Sequence, residues 1–128
     1  MMIALEPQSE IDTDRLILRP RAGAGVAFDI DHRQFGHIGR VGFQEDQIRR
    51  PELDVWLEPP FRGRGYGPEA VRAALRWAGA DWRRGAVWTG HCADDPAAGQ
   101  ALSKAGFLYT GEVVRKGAVA TRMMVWLA

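Results

Sequence analysis

Leu57-Glu58-Pro59-Pro60-Phe61-Arg62-Gly63-Arg64-Gly65-Tyr66-Gly67-Pro68-Glu69-Ala70-Val71 is the stretch from which the rest of the chain can be read. It begins extended, passes through a loop of glycine and arginine, and opens a helix on Gly67-Pro68. Proline suits the first helical position, where its missing N–H costs nothing and its fixed φ is already helical. Glycines at 63, 65 and 67 let the backbone curl and aim successive N–H groups at one point. The first turn of a helix adds unpaired donors and a partial positive charge. Arg62 and Arg64 bring two full charges to the same place. These features predict a seat for a phosphate or pyrophosphate.

The spacing separates this loop from two other phosphate binders. No Gly-x-x-x-x-Gly-Lys-Ser/Thr string occurs. Gly63, Gly65 and Gly67 run G-x-G-x-G, not the G-x-G-x-x-G of a dinucleotide fold, and Asp81 ends the helix where a ribose-binding acid would need a following strand. A nucleotide-binding domain of another type is further disfavoured because repeated β-α-β units are missing.

Working outward, residues 1–12 read as an N-terminal lead-in. Arg15 to Arg19 alternates polar and apolar, the period of a half-buried strand. A turn at residues 21–25 leads to a second strand, Val26 to Ile30, and a third from Gly36 to Glu45. Glu52 to Leu57 forms the fourth, directly before the loop. After Gly67, Ala70, Val71, Ala74, Leu75 and Ala78 make the stripe of an amphipathic helix. A short strand follows at Ala86 to Thr89. A second helix starts near Asp95-Pro96 and stops at Gly106, a suitable C-terminal glycine. Phe107 to Val114 and Val119 to Leu127 close the chain as a hairpin. The expected architecture is α+β: a mixed, mostly antiparallel sheet with two helices, in a single domain over residues 13–128.

The bulk numbers agree. The 128 residues fit one domain, and 46% apolar composition suffices for one core. A net charge of +1 argues against a nucleic-acid partner. Cys92 is the lone cysteine, so no intrachain disulfide forms, which fits a reducing, cytoplasmic setting. No run approaches the ~20 apolar residues of a membrane helix, and the start lacks the basic region of a signal peptide. The three histidines have no ligand spacing with Cys92, so no metal is expected. His32 and His37 read as surface residues beside the second hairpin. The five tryptophans read as core or element-end residues.

Arg62-x-x-Gly65-x-Gly67 resembles the Arg/Gln-x-x-Gly-x-Gly/Ala signature of the GNAT acyl-CoA N-acyltransferases. Thr13-Asp14-Arg15-Leu16-Ile17-Leu18-Arg19-Pro20 looks like the opening strand of the branch that acetylates ribosomal-protein N-termini. Ile38 to Phe43 and Glu52 to Leu57 are similar to that family's central strands. Asp95-Pro96-Ala97-Ala98, followed by Leu102-Ser103-Lys104-Ala105-Gly106-Phe107, resembles its Asn-Pro-Ala-Ser…Leu-x-Lys-x-Gly-Phe segment. The matches run in family order across most of residues 13–127. One departure stands out: the family places two helices between its first and second strands, and residues 21–25 cannot hold even one. These helices normally wall the acceptor site.

The resemblance implies the GNAT fold and an N-acetyltransferase that moves an acetyl or small acyl group from acetyl-CoA to an unidentified primary amine. It implies pyrophosphate binding by Arg62, Gly63, Arg64, Gly65, Tyr66 and Gly67. Val55, Trp56 and Leu57 would bind pantetheine through their backbone, and Asp95 stands where the family has a cofactor-side asparagine. Candidates for general base are Glu52 and Asp54, on one face of a strand, and His91, whose ordinary pKa suits the task. The family's usual thiolate acids fall at Leu102 and Ala98, which cannot serve. Tyr109 is the remaining candidate. The alternative is a non-catalytic GNAT-fold module for CoA binding or dimerisation. A sheet edge or apolar face uncovered by the missing helices would invite a homodimer.

Overall fold

The structure is a computed structural model, and it describes residues 7, 9–23, 25–45, 48 and 50–128. Its strands are β1 (Ile11–Asp12), β2 (Leu16–Pro20), β3 (Val26–His32), β4 (Gly36–Glu45), β5 (Pro51–Leu57), β6 (Ala86–Cys92), β7 (Leu108–Lys116) and β8 (Val119–Leu127). Two helices, α1 (Tyr66–Ala80) and α2 (Pro96–Lys104), follow β5 and β6 respectively. All eight strands join one sheet in the order β1-β2-β3-β4-β5-β6-β8-β7. Only β5 and β6 run parallel, because α1 is the crossover between them. The α+β architecture is the one the periodicity implies.

The first five strands form a meander because each connection is short enough for a hairpin. Alternation then sorts the side chains. Leu16 and Leu18 on β2, Phe28 and Ile30 on β3, Val41 on β4 and Leu53 on β5 point to one face and are buried. They meet Ala70, Val71, Ala74 and Ala78 of α1, whose small side chains let the helix lie close to the sheet. Phe28 is fully buried and meets Trp77 edge-on at 5.4 Å. Removing a ring so placed costs ~3–5 kcal/mol.

The opposite face has no helix among the described residues. Residues 21–25 join β2 to β3 with no room for one. Many exposed positions there are charged, although Trp56 is also exposed on this face. Arg19 pairs with Asp31 at 2.7 Å, His37 lies 3.5 Å from Asp31, and Arg21 lies 4.0 Å from Asp29. Such exposed pairs add little stability, but they show a face built to meet water.

Three sequence expectations shift. Ile11–Asp12, read as lead-in, adds a short edge strand by pairing with Leu18 and Ile17. His32, read as a surface residue, is buried, and its Nδ1 accepts the N–H groups of Gln34 (3.0 Å) and Phe35 (3.4 Å) to stabilise the β3–β4 turn. Helix α1 starts at Tyr66, so Pro68 occupies the third helical position rather than the first. The first four N–H groups of a helix lack internal partners, so proline is tolerated there too.

Candidate active site

β5 and β6 touch at a single bridge, Glu52 with Trp88, and then diverge. Nothing local fixes their register, because their connection is a whole helix. At the point of divergence the buried Thr89 Oγ1 reaches the Leu53 carbonyl at 3.5 Å. Beyond it opens a cleft of about 290 Å³. Leu53, Val55, Thr89 and His91 line it from the strands, Gly67 and Val71 from α1, and Ala98 and Leu102 from α2. Its wall is apolar apart from strand backbone and a few side chains.

The glycine-arginine loop leads into Gly67 and Pro68, which line this cleft. Gly63 (φ 73°) and Gly65 (φ 84°) both adopt the left-handed conformation, which explains glycine at these positions. The loop leads through the Gly65 N-cap into α1, whose first N–H groups have no acceptor inside the helix. Arg62 Nε donates to the Leu57 carbonyl at 2.8 Å, and Arg64 Nε donates to that of Pro60 at 3.2 Å. Both residues are exposed, so their terminal nitrogens remain available to an anion.

A brace holds the loop from below. Arg15 Nε donates to Glu69 Oε1 at 2.8 Å, while the Thr13 hydroxyl (2.6 Å) and the Arg15 N–H (2.9 Å) donate to Glu69 Oε2. Arg15 also donates to the Arg64 carbonyl at 3.1 Å and stacks on the Tyr66 ring at 4.5 Å. Burial alone would raise the Glu69 pKa. The Thr13 hydroxyl, the Arg15 N–H and the Arg15 guanidinium together outweigh it and hold the carboxyl below its ordinary value. The charge of Glu69 is thus neutralised beside a loop suited to anions.

His91 and Tyr109, two of the sequence candidates, come together. His91 lies within β6 rather than beyond it, and it is buried. Its Nδ1 is 2.7 Å from the Cys92 carbonyl, an acceptor only, so Nδ1 carries a proton. In the neutral ring Nε2 then accepts the Tyr109 O–H, at 2.8 Å. Arg122 lies over the Tyr109 ring at 4.0 Å. Gly99 of α2 makes room for the pair: a Cβ there would fall 2.3 Å from Tyr109 Oη and 2.7 Å from His91 Nε2.

The other candidates lie apart. Glu52 sits at the closed end of the strand pair and does not line the cleft. Asp54 borders the cleft and also a hollow on the helix-free face. Val55 lines the cleft, whereas Trp56 points to the helix-free face, where Arg40 and Arg62 flank its ring. Leu57 follows Val55 toward the loop. Asp95 caps α2 by accepting the Ala98 N–H at 3.1 Å, so its carboxylate is committed to the helix. Among the described residues no group of three His, Cys, Asp or Glu side chains could hold a metal. Nor is any helix there long and apolar enough to cross a membrane.

Thr13, Arg15, Glu69, Thr89 and Gly99 were not singled out from sequence. Only Glu69 gave a signal, as an acid in the first turn of a helix beside an anion loop.

The family model described as "Acetyltransferase (GNAT) domain" matches residues 3–108. No curated protein matches the chain. A Bordetella pertussis protein described as a GnaT-family acetyltransferase superposes with a TM-score of 0.80 at 17% identity, covering 93% of this chain and 99% of that one. A GNAT-family acetyltransferase from Bacillus anthracis gives 0.77 at 13% identity, covering 93% and 98%. A point mutant of the spermidine N-acetyltransferase SpeG from Vibrio cholerae gives 0.70 at 20% identity, covering 79% of this chain and 63% of that one. At these identities the structures establish the fold alone. With its loop, its cleft and a family model spanning most of its length, the chain belongs to the GNAT acetyltransferase family.

Proposed function

We propose that the protein transfers an acetyl or other small acyl group from acyl-coenzyme A to a primary amine by direct attack. One observation supports this above others: the cleft between β5 and β6, which pair at the single bridge of Glu52 with Trp88, is lined by Gly67, the last glycine of the glycine-arginine loop. The loop suits a pyrophosphate, and unpaired strand backbone suits the amide-rich arm of pantetheine. Residues Arg62 to Gly67 hold the diphosphate. Val55, Trp56 and Leu57 contribute backbone groups, and an N–H of β5 polarises the thioester carbonyl.

The amine nitrogen bonds to the carbonyl carbon as the C–S bond breaks. Of the two protons the ammonium loses, one ends on the thiolate and one in solvent. Glu52 and Asp54, on the helix-free face, receive a proton through water. His91 and Tyr109 share a proton beside the cleft and serve the thiolate that Leu102 and Ala98 cannot. The lone Cys92 is consistent with a cytoplasmic setting. The likeness of Thr13–Pro20 and Asp95–Phe107 to the ribosomal-protein branch suggests a protein N-terminus as acceptor, and the likeness to SpeG suggests a polyamine.

A second reading is a non-catalytic CoA-binding or dimerisation module. It is favoured by Leu102 and Ala98, which line the cleft without an ionisable group. Calorimetric titration of acetyl-CoA and CoA separates the two, alongside Arg62→Ala/Arg64→Ala. The expected result is micromolar binding that the double variant loses, followed by amine-dependent release of free thiol. Binding without turnover on any amine selects a CoA-binding module, and no binding by the wild type ends the transferase reading and leaves a module that acts through partners.

A further inference from the structure

The cleft meets a second depression at one residue. A hollow of about 160 Å³ lies on the helix-free face, floored by Gly42 and Ala27 and bordered by Arg21, Arg40, Gln44 and Asp54. Among the described residues, Asp54 alone lines both hollow and cleft. Alternation along β5 explains why. Leu53 and Val55 face the helices, so the Asp54 side chain faces the hollow while its backbone borders the cleft. The floor is low because both residues are small. A Cβ on Gly42 would fall 2.8 Å from the Val26 carbonyl and 3.0 Å from Ala27.

The charges around the hollow are not spent on each other. Asp54 forms no ion pair with Arg40 or Arg21, and Arg40 has no carboxylate partner among the described residues, lying against Trp56 instead. Among the described residues the carboxylate that Arg21 reaches is Asp29, at 4.0 Å. A carboxylate shared with the cleft, the Arg40 guanidinium and the Arg21 guanidinium beside Asp29 border one hollow, which suits a ligand that carries both charges. A polyamine has no anion to offer Arg40 and Arg21, and its second ammonium would be repelled by them.

We infer that this hollow receives the acceptor, and that the acceptor is an amine with a nearby carboxylate, an amino acid or a compound with an amino-acid head. The ammonium lies against Asp54, next to the cleft, and the carboxylate lies against Arg40 and Arg21. In the reaction the ammonium loses two protons, one to water and one to the departing thiolate, and the new N–C bond replaces the C–S bond. This assignment rests on the transferase reading for its chemistry but not for its binding.

The test uses the full chain and reads binding and turnover separately. The twenty amino acids, their amides, spermidine and a short peptide with a free N-terminus are each titrated into ¹⁵N-labelled protein, following Gly42 and the Trp56 indole. Thiol release from acetyl-CoA is measured with the same panel, and acetyl-CoA binding is measured by calorimetry. At least one amino acid is expected to shift both signals and to be acetylated, with its amide weaker by ~10–100-fold. Arg40→Gln should erase the preference for acid over amide and leave acetyl-CoA binding unchanged. Equal use of acid and amide, or preference for spermidine or the peptide, overturns the inference while the transferase reading stands. Binding of an amino acid that depends on Arg40, without acetyl-CoA binding, upholds the hollow and removes the transferase reading. If acetyl-CoA binds but no amino acid shifts either signal, the hollow is not the acceptor site.

Discussion

Glu69 links the glycine-arginine loop to the start of the sheet. It receives three hydrogen bonds from Thr13 and Arg15, residues more than fifty positions away in the chain. Glu69→Gln keeps the shape and removes the charge, and it should cost ~1–2 kcal/mol in urea unfolding at pH 7. The sign of its pH dependence follows from its depressed pKa. The carboxylate stabilises the fold fully above its unfolded-state value and loses that effect as pH falls through the lower folded value. The stability gap between wild type and Glu69→Gln should therefore be widest near neutral pH and close in acid. A gap unchanged down to pH 3 would show that the charge contributes nothing. This brace was illegible from sequence, because Thr13 and Arg15 look like ordinary strand-entry residues and no local pattern ties them to a helix.

At the scale of elements, α2 is the part most sensitive to one methyl group. Gly99 packs directly on the His91–Tyr109 hydrogen bond. Gly99→Ala must displace either the helix or the pair, at a cost of ~1–3 kcal/mol for overpacking. Acyl transfer should fall further than acetyl-CoA affinity, because the loop at α1 is untouched. Adding Tyr109→Phe removes the nearest clashing atom and should recover part of the lost thermal stability. Failure to recover any would place the strain elsewhere. The helix itself was readable: Asp95-Pro96 opens it and Gly106 (φ 106°) follows its end. What Gly99 touches was not, since a glycine inside a helical pattern gives no sign of the element facing it. The start of α1 was misplaced for a related reason: proline is acceptable at more than one position of a first turn.

For the whole molecule, the absence of helices between β2 and β3 leaves one sheet face bare and two edges open. The bare face has several ion pairs beside the exposed Trp56. The β7 edge differs: Leu108, Tyr109 and Val113 are exposed there beside unpaired backbone. If the protein self-associates, as the exposed edge suggests, β7 is the seam. Light scattering should then find a dimer that Val113→Lys converts to monomer. A wild type that stays monomeric at high micromolar concentration removes self-association from the account.

Local sequence alone carried the order and type of the elements after the short edge strand β1, and the place of the glycine-arginine loop. Each depends on neighbours in the chain: alternation for strands, a 3.6-residue stripe for helices, and glycine where φ must be positive. It also foretold the gap at residues 21–25, because chain length alone forbids a helix there. Tertiary structure decided the rest. That β5 and β6 separate after one bridge, that His91 meets Tyr109, and that Asp54 joins the cleft to a hollow on the other face all depend on residues far apart in sequence. Their proximity follows from how a sheet and two helices pack, and local periodicity contains no record of it.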